Sequence, residues 1–422
     1  MHIGYALSPV AMASQGLLAP SLQLDFLSGT LDPRITFTRA GGADATVFGS
    51  NGLLQTPPPN TPRFDYDPVT LQPRGLLIEE ARTNLLLHSR DMTQAAWSKT
   101  DVTPTRNQVG IDGVANTACL MTEGVAGSSI ALQNGAAVTA GSTITSSWVL
   151  KRGNTDWMAC HTGDATDGAR GWFNLNSGAK GSVVARGAGT NNSSTITPLG
   201  GGWYRCTVTT TPNGTYTIPI AASFAAPADN SIARVNNATY ITDCAQLEVG
   251  ASASSIIPTT TAAVTRAADN VVMTGTNFSS WYNSAAGSFV VEGDTTTTSN
   301  PATLTDVNDN SFNQRMQVRF STSTLAQAII TSGGVVQTTP LSTSVVAGAV
   351  VKMGLSYASA GTSWVTNGST VQAGSALTLP APTQLRLGSA AGGGSEVLNG
   401  HIRSIRYYNT RLPDQMLRAL TT

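Results

Sequence analysis

Six strand-like runs lie between Ser142 and Gly250, most alternating apolar and polar residues, with turn residues between them: STITSSWVLKR (142–152), DWMACH (156–161), GWFNLNSG (171–178), GWYRCTVTTT (202–211), TYTIPIAASF (215–224) and ATYITDCAQLEVG (238–250). In a strand, successive side chains point to opposite faces. Trp148 and Leu150 therefore share one face, and Trp203, Arg205, Thr207 and Thr209 oppose Tyr204, Cys206 and Val208. Strands with one wet and one dry face pack in pairs of sheets, which predicts a β-sandwich over residues 94–255.

The stretch SSIIPTTTAAVTRAADNV (254–271) has lower complexity and reads as a linker, placed at 256–269. A second β unit is expected over 270–422, with strands in GSFVVEGD (287–294), RMQVRFS (315–321), VVKMGLSYAS (350–359), SWVTNGSTVQAG (363–374), QLRLGSA (384–390) and GHIRSIRYYN (400–409). Asn367-Gly368 marks a hairpin, because a type I′ turn needs two residues tolerant of positive φ. LPDQMLRAL reads as one short helix opened by Pro413 and Asp414. Residues 1–93 hold few alternating runs and several turn signals, among them Asp32-Pro33, Asn51-Gly52 and Asp67-Pro68. They are expected to form an extended arm with short strands, ordered by a neighbouring chain or by a larger particle. The predicted fold class is thus all-β: an extended N-terminal arm followed by two β-sandwich domains.

Composition narrows the function. At 422 residues the chain exceeds one ordinary core, and its 42 glycines and 11% charged residues, against a usual ~25%, suit a turn-rich β protein. Lys plus Arg equals Asp plus Glu at 24 each, which removes the electrostatic case for nucleic acid or an anionic membrane surface. Cys119, Cys160, Cys206 and Cys244 lie too far apart for paired zinc ligands and read as small buried thiols, as in a chain made in a reducing cytoplasm. No window reaches the ~18 apolar residues of a membrane span, and the start of the chain lacks a basic n-region, so neither membrane insertion nor a signal peptide is expected. No G-x-S-x-G elbow, H-E-x-x-H or P-loop is present. Asp306-Val307-Asn308-Asp309-Asn310 starts like a calcium loop, but Ser311 and Gln317 stand where an EF-hand needs Gly and Glu. No cofactor, no metal and no catalytic residue is assigned.

RGLLIEEARTNLLL (74–87) places Arg74, Glu79, Glu80 and Arg82 among six aliphatic residues. A surface that buries those aliphatics must pair the charges or leave them at its rim. One reading is an assembly interface between subunits through Arg74, Glu79 and Arg82; the other is a salt-bridged cap within one chain. Together with LDPRITFTRA (31–40) and PRFDYDP (62–68), this segment resembles the N-terminal part of bacteriophage head spike, head fibre and tail fibre proteins. LNGHIRSIRYYNTRLPDQMLRAL (398–420) is similar to the closing strand and helix of concanavalin A-like or laminin G-like jelly rolls. GWYRCTV and AQLEVGASASSIIPTTTAAVTRAAD (245–269) resemble the jelly rolls of carbohydrate-binding modules and phage spikes.

The resemblance implies a virion surface protein synthesised in the bacterial cytoplasm, a homotrimer attached through its arm to a capsid or tail protein and adsorbing to host surface polysaccharide. Sugar binding uses an aromatic face beside directional polar groups. On that basis Trp157, Trp172 and Trp364, with Asp164 and Asp167 of the TGDATDGAR loop, are the candidate carbohydrate-binding residues, against a plain reading of core tryptophans and Asx turns. A polysaccharide depolymerase and a ligand-free capsid decoration protein are the alternatives.

Overall fold

The computed structural model describes residues 19–41, 45–214, 217–296, 301–337 and 341–422. The fold is all-β, with two sandwiches. The first packs two six-stranded antiparallel sheets. One runs, edge to edge, through Thr190–Pro198, Trp203–Thr211, Ile144–Arg152, Thr239–Val249, Ala118–Glu123 and Val102–Gln108; the other through Ala179–Arg186, Gly168–Asn174, Trp157–Gly163, Ile220–Ala226, Ile130–Asn134 and Ser98–Thr100. Trp148, Leu150, Cys206 and Val208 meet Met158, Cys160 and Phe173 between them. The alternation read from Ser142 to Gly250 is this dry face. All four cysteines are buried free thiols.

The second sandwich packs two eight-stranded sheets. In one, Ala286–Gly293 lies between Val351–Ala358 and Gly400–Tyr408; in the other, Ala302–Asn308 lies between Gln384–Leu387 and Arg315–Thr322. Asn367 and Gly368 have φ of 46° and 65° and close the turn between Gly361–Thr366 and Gln372–Gly374, as the dipeptide predicts. The short C-terminal helix spans Asp414–Leu420, with Pro413 at its N-cap.

Two boundaries differ from the sequence expectation. The described part of the arm is built into both sandwiches of its own chain. Leu22–Asp25 pairs with Gly400–Tyr408, as does Pro73–Ile78; Arg63–Tyr66 extends the same sheet, and Thr36–Thr38 edges the opposite one. Leu22, Leu24, Phe26, Leu76 and Ile78 fill the second core, each worth roughly 1.5–3 kcal/mol of burial. The Val47–Phe48 and Leu54–Gln55 hairpin packs instead on the outside of the first sandwich, against Ile111, Leu199 and Trp203. Turn signals every few residues disguised these strands, because each is too short to show a period. Residues 1–18 of the expected arm lie outside the described residues. The expected linker, likewise, buries Ile256 and Ile257, and its Val264–Arg266 strand pairs with Arg82–Asn84.

RGLLIEEARTNLLL is the staple between the two bodies. Its Leu76 and Ile78 lie in the second core and its Leu85 and Leu86 in the first. The charges fall where the segment crosses from one core to the other.

Candidate functional site

At that crossing Glu79 is 6% exposed and held entirely within the chain. Its carboxylate accepts from Arg63 Nη1 and Arg266 Nη1, each at 2.6 Å, and from the Ser255 amide and hydroxyl, each at 2.7 Å. Asp269 completes the chain of pairs, accepting from Arg63 Nη2 at 2.5 Å and Arg39 Nη1 at 3.1 Å. Burial alone would raise the Glu79 carboxyl, but Arg266 and Arg63 hold it well below the carboxylate range. The inter-subunit reading of this residue is therefore corrected: its partners come from the N-terminal segment and the inter-sandwich connection of the same chain. Arg82 pairs with Glu80 at 2.6 Å and donates to the Val249 carbonyl. Arg74, more exposed, pairs with Asp67 at 2.7 Å. Sequence reasoning named the acid here but missed Arg63, 16 residues before it among turn-like residues, and Arg266 and Asp269, which lie far along the chain.

Above this network an open cleft of about 950 Å³ separates the sandwiches, with Glu80, Arg82 and Ser252 on one side and Glu396 and Asn399 on the other. Its charged groups are already engaged: Arg82 by Glu80, and Glu396 by Arg319 at 3.0 Å and Gln317 Nε2 at 2.6 Å.

Of the sugar-binding candidates, Trp364 sits in the second core with no exposed surface and donates from Nε1 to Thr343 Oγ1. It cannot meet a ligand in this state, a correction that follows from its alternation with Ser363 and Val365 on a central strand. The other four residues gather on the first sandwich. Trp157 and Trp172 stand on adjacent strands, on the outer face of the Trp157–Gly163, Gly168–Asn174 and Ile220–Ala226 sheet, with Ala159, Phe224 and Ala226. Trp157 is half-buried at the rim. Trp172 is 2% exposed, because the segment 227–237 crosses the face and Ser231 accepts its Nε1–H at 2.8 Å. Trp172 thus supports the face from below and does not present a platform of its own.

Asp164 and Asp167 lie in the hairpin loop at one end of this face. Gly163 and Gly168 pair across its neck, and a Cβ on either would stand about 2.1–2.2 Å from a carbonyl oxygen of the opposite strand. Asp164 Oδ1 accepts the amides of Thr166 and Asp167, each at 2.7 Å, and Asp167 Oδ1 accepts the Ala188 amide at 2.7 Å. Asp164 shapes the loop as an Asx turn and Asp167 ties it to the neighbouring turn at Ala188, so both carboxylates are engaged in positioning the loop, in place of the expected direct sugar contacts.

The residues that sequence reasoning missed are basic. Arg170, between Trp172 and His161 on this face, places its guanidinium carbon 5.3 Å from the Phe224 ring centre and 5.9 Å from that of Trp172. Its Nε is buried without a partner. Arg234, from the crossing segment, lies 3.5 Å over Phe224 and donates from Nε to the Ser129 carbonyl at 2.5 Å. Arg186 donates from Nη1 to the Asp164 carbonyl at 3.1 Å and to His161 Nε2 at 3.3 Å. His161 in turn donates from Nδ1 to the Ala169 carbonyl at 3.0 Å. Burial, with Arg186 and Arg170 nearby, pushes the His161 imidazole down to about 4, so it is neutral at neutral pH and accepts from Arg186. The alternating position of Arg170 in DGARGWFN placed it on the same face as Trp172, a signal that was present in the sequence.

The outer face of the second sandwich is also polar. Asp306 is a strand residue, not the start of a calcium loop, and neither of its carboxylate oxygens has a partner. Burial pushes its carboxyl up to about 7. It is sealed from solvent. Among the described residues no group of three or more His, Cys, Asp or Glu is placed to hold a metal ion, and no helix is long and apolar enough to cross a membrane.

No family model matches the chain, and no curated protein matches it. Solved structures with some likeness to it include the CBM40 of the Ruminococcus gnavus IT-sialidase, at 14% identity over 35% of this chain and 88% of that one, TM-score 0.31. The NanB sialidase from Streptococcus pneumoniae is 13% identical over 33% of this chain and 24% of its own, TM-score 0.30. The botulinum neurotoxin type G receptor binding domain is 8% identical over 35% and 38%, TM-score 0.28. Likenesses this distant carry no argument about activity, and the functional reading rests on the residues themselves.

Proposed function

We propose that this chain is a non-enzymatic bacteriophage virion protein, a head spike or a head or tail fibre, that adsorbs to host surface polysaccharide. The observation that carries the binding part is the outer face of the first sandwich, which holds half-buried Trp157 at one end and, four residues along the strands, Arg170, whose guanidinium lies over the Trp172 and Phe224 rings. An aromatic edge next to fixed polar donors is the chemistry that sugar recognition uses. The virion part is supported by the resemblance of residues 31–40, 62–68 and 74–87 to phage spike and fibre proteins. In this chain those segments weld two sandwiches into one body suited to display. A homotrimer attached to the capsid or tail through the N-terminal region belongs to the same proposal, since weak single sites gain avidity by repetition.

The test is binding of the full-length protein to encapsulated bacteria and to capsule-free mutants of the same strains, with oligomeric mass measured in parallel. Capsule-dependent binding that Trp157→Ala weakens is the expected result. A correctly folded oligomer that binds no encapsulated strain would favour a ligand-free decoration protein.

A further inference from the structure

The face that carries Trp157 holds three arginines, Arg170, Arg186 and Arg234, and none of them forms an ion pair among the described residues. In a chain with equal numbers of acids and bases, twelve other arginines are paired with carboxylates, so this clustering is not a surplus of charge. The acids nearest to it are otherwise engaged. Asp164 binds loop amides, Asp229 accepts from the Ser182 amide and hydroxyl at 2.7 and 2.8 Å, and Glu123, which burial pushes up to about 7, accepts the Ala225 amide.

The guanidinium groups are held by neutral contacts. Arg170 rests on Phe224 and Trp172, while Arg186 and Arg234 are pinned by backbone carbonyls that orient them without cancelling their charge. Glu123 offsets part of the charge of Arg234, and Asp164 part of that of Arg186, but the partly buried Arg170 has only these two arginines as charged neighbours, an arrangement whose cost a bound anion would relieve. The planar fork of a guanidinium matches a carboxylate through two parallel N–H···O bonds.

We infer that this face is a binding site for carboxylate-bearing sugars, with Arg170 as the fork that takes the carboxylate, Arg186 and Arg234 as flanking cations and Trp157, farther along the face, as the apolar wall for a neighbouring ring of the same sugar chain. The inference rests on the proposed polysaccharide binding and adds the class of ligand and the residue that selects it. The carboxylate could belong to a uronic acid in the main chain or to an acidic substituent on a neutral sugar.

The experiment uses the full-length protein and isothermal titration with three hexuronate polymers of different linkage, pectate, alginate and heparosan, each beside its carboxyl-reduced form. A pyruvylated galactan represents the substituent source, and dextran sulfate tests for simple charge attraction. At least one carboxylated polymer should bind about tenfold or more tightly than its reduced form and than dextran sulfate, a difference of the size a bidentate charged pair supplies. Arg170→Gln should abolish that preference, and Arg170→Lys, which keeps the charge but loses the fork, should restore only part of it. Both variants should keep the thermal midpoint of the parent. Because Arg170→Gln could disturb Trp172, Arg186→Gln, whose side chain bonds His161 and the loop carbonyls rather than resting on Trp172, serves as an independent variant and should also weaken binding. Equal affinity for reduced and carboxylated forms overturns the inference while leaving polysaccharide binding in place. Dextran sulfate binding as tightly as the best carboxylated polymer overturns it in favour of nonspecific charge, and no binding to any acidic polymer overturns it outright.

Discussion

Glu79 joins two arginines more than 180 residues apart in sequence, Arg63 and Arg266, in a place that water barely reaches. Removing one partner of such a network leaves the others charged and buried. Glu79→Ala is therefore expected to destabilise the fold by about 3–5 kcal/mol, read as a lower denaturant midpoint; an unchanged midpoint would mean that the network is dispensable. His401 offers a second test, through pH. It lies 3.0 Å from Asp65, in the N-terminal segment, and 3.0 Å from Asp294. Burial would lower its pKa, but Asp294 and Asp65 raise it to about 9. A group whose folded value lies above its unfolded one stabilises fully below the unfolded value, near 6.5, and loses that contribution as pH climbs through 9. The gap in stability between the parent and His401→Gln should accordingly shrink, by on the order of 3 kcal/mol, from pH 6 to pH 10. A gap constant with pH would contradict it. The tryptophans divide in the same way between stability and binding. Trp364→Ala should cost about 3–5 kcal/mol as a core deletion, whereas Trp157→Ala should leave the thermal midpoint within a few degrees and weaken glycan binding about tenfold.

Strands with a long alternating period were legible in the sequence, and those without one were not. Ile144–Arg152 and Trp203–Thr211 follow the runs that announce them. Ala302–Asn308 does not: all seven residues are buried, and its Asp306 and Asn308 read as a polar loop because a central strand with a covered outer face need not alternate. The N-terminal strands failed for another reason. Leu22–Asp25, Arg63–Tyr66 and Pro73–Ile78 become strands only when the Gly400–Tyr408 edge accepts them, information separated from them by more than 300 residues. The candidate site was half legible. Trp157, Trp172 and the loop aspartates do come together on one face of the first sandwich, but which tryptophan is covered depends on the segment 227–237, and the clustering of the arginines appears only once the strands are paired. This bears on truncation. Read as an arm, residues 1–93 could be removed to dissociate an oligomer; with seven strands, Leu76 and Ile78 of the second core and Leu85 and Leu86 of the first among the described residues of that segment, their removal should instead yield an insoluble or partly unfolded chain. A soluble truncated protein with native-like tryptophan fluorescence would contradict the intramolecular role.

At the scale of the whole molecule the staple makes the two sandwiches depend on one another. Leucines of a single segment are shared between two cores, and the charges at the crossing are neutralised by residues from both sides. Under the proposed function, such a body would hold the proposed binding face at a fixed angle to its anchor, as avidity from many copies on one particle requires. The most direct measurement of this account is titration of the full-length protein with purified capsular polysaccharides while reducing ends and viscosity are followed in the same samples. Saturable binding to an acidic polysaccharide, lost in Arg170→Gln, with no new reducing ends and no fall in viscosity, is the predicted result. New reducing ends would make the protein a depolymerase, and a folded protein that binds none of the polysaccharides would remove adsorption from its function.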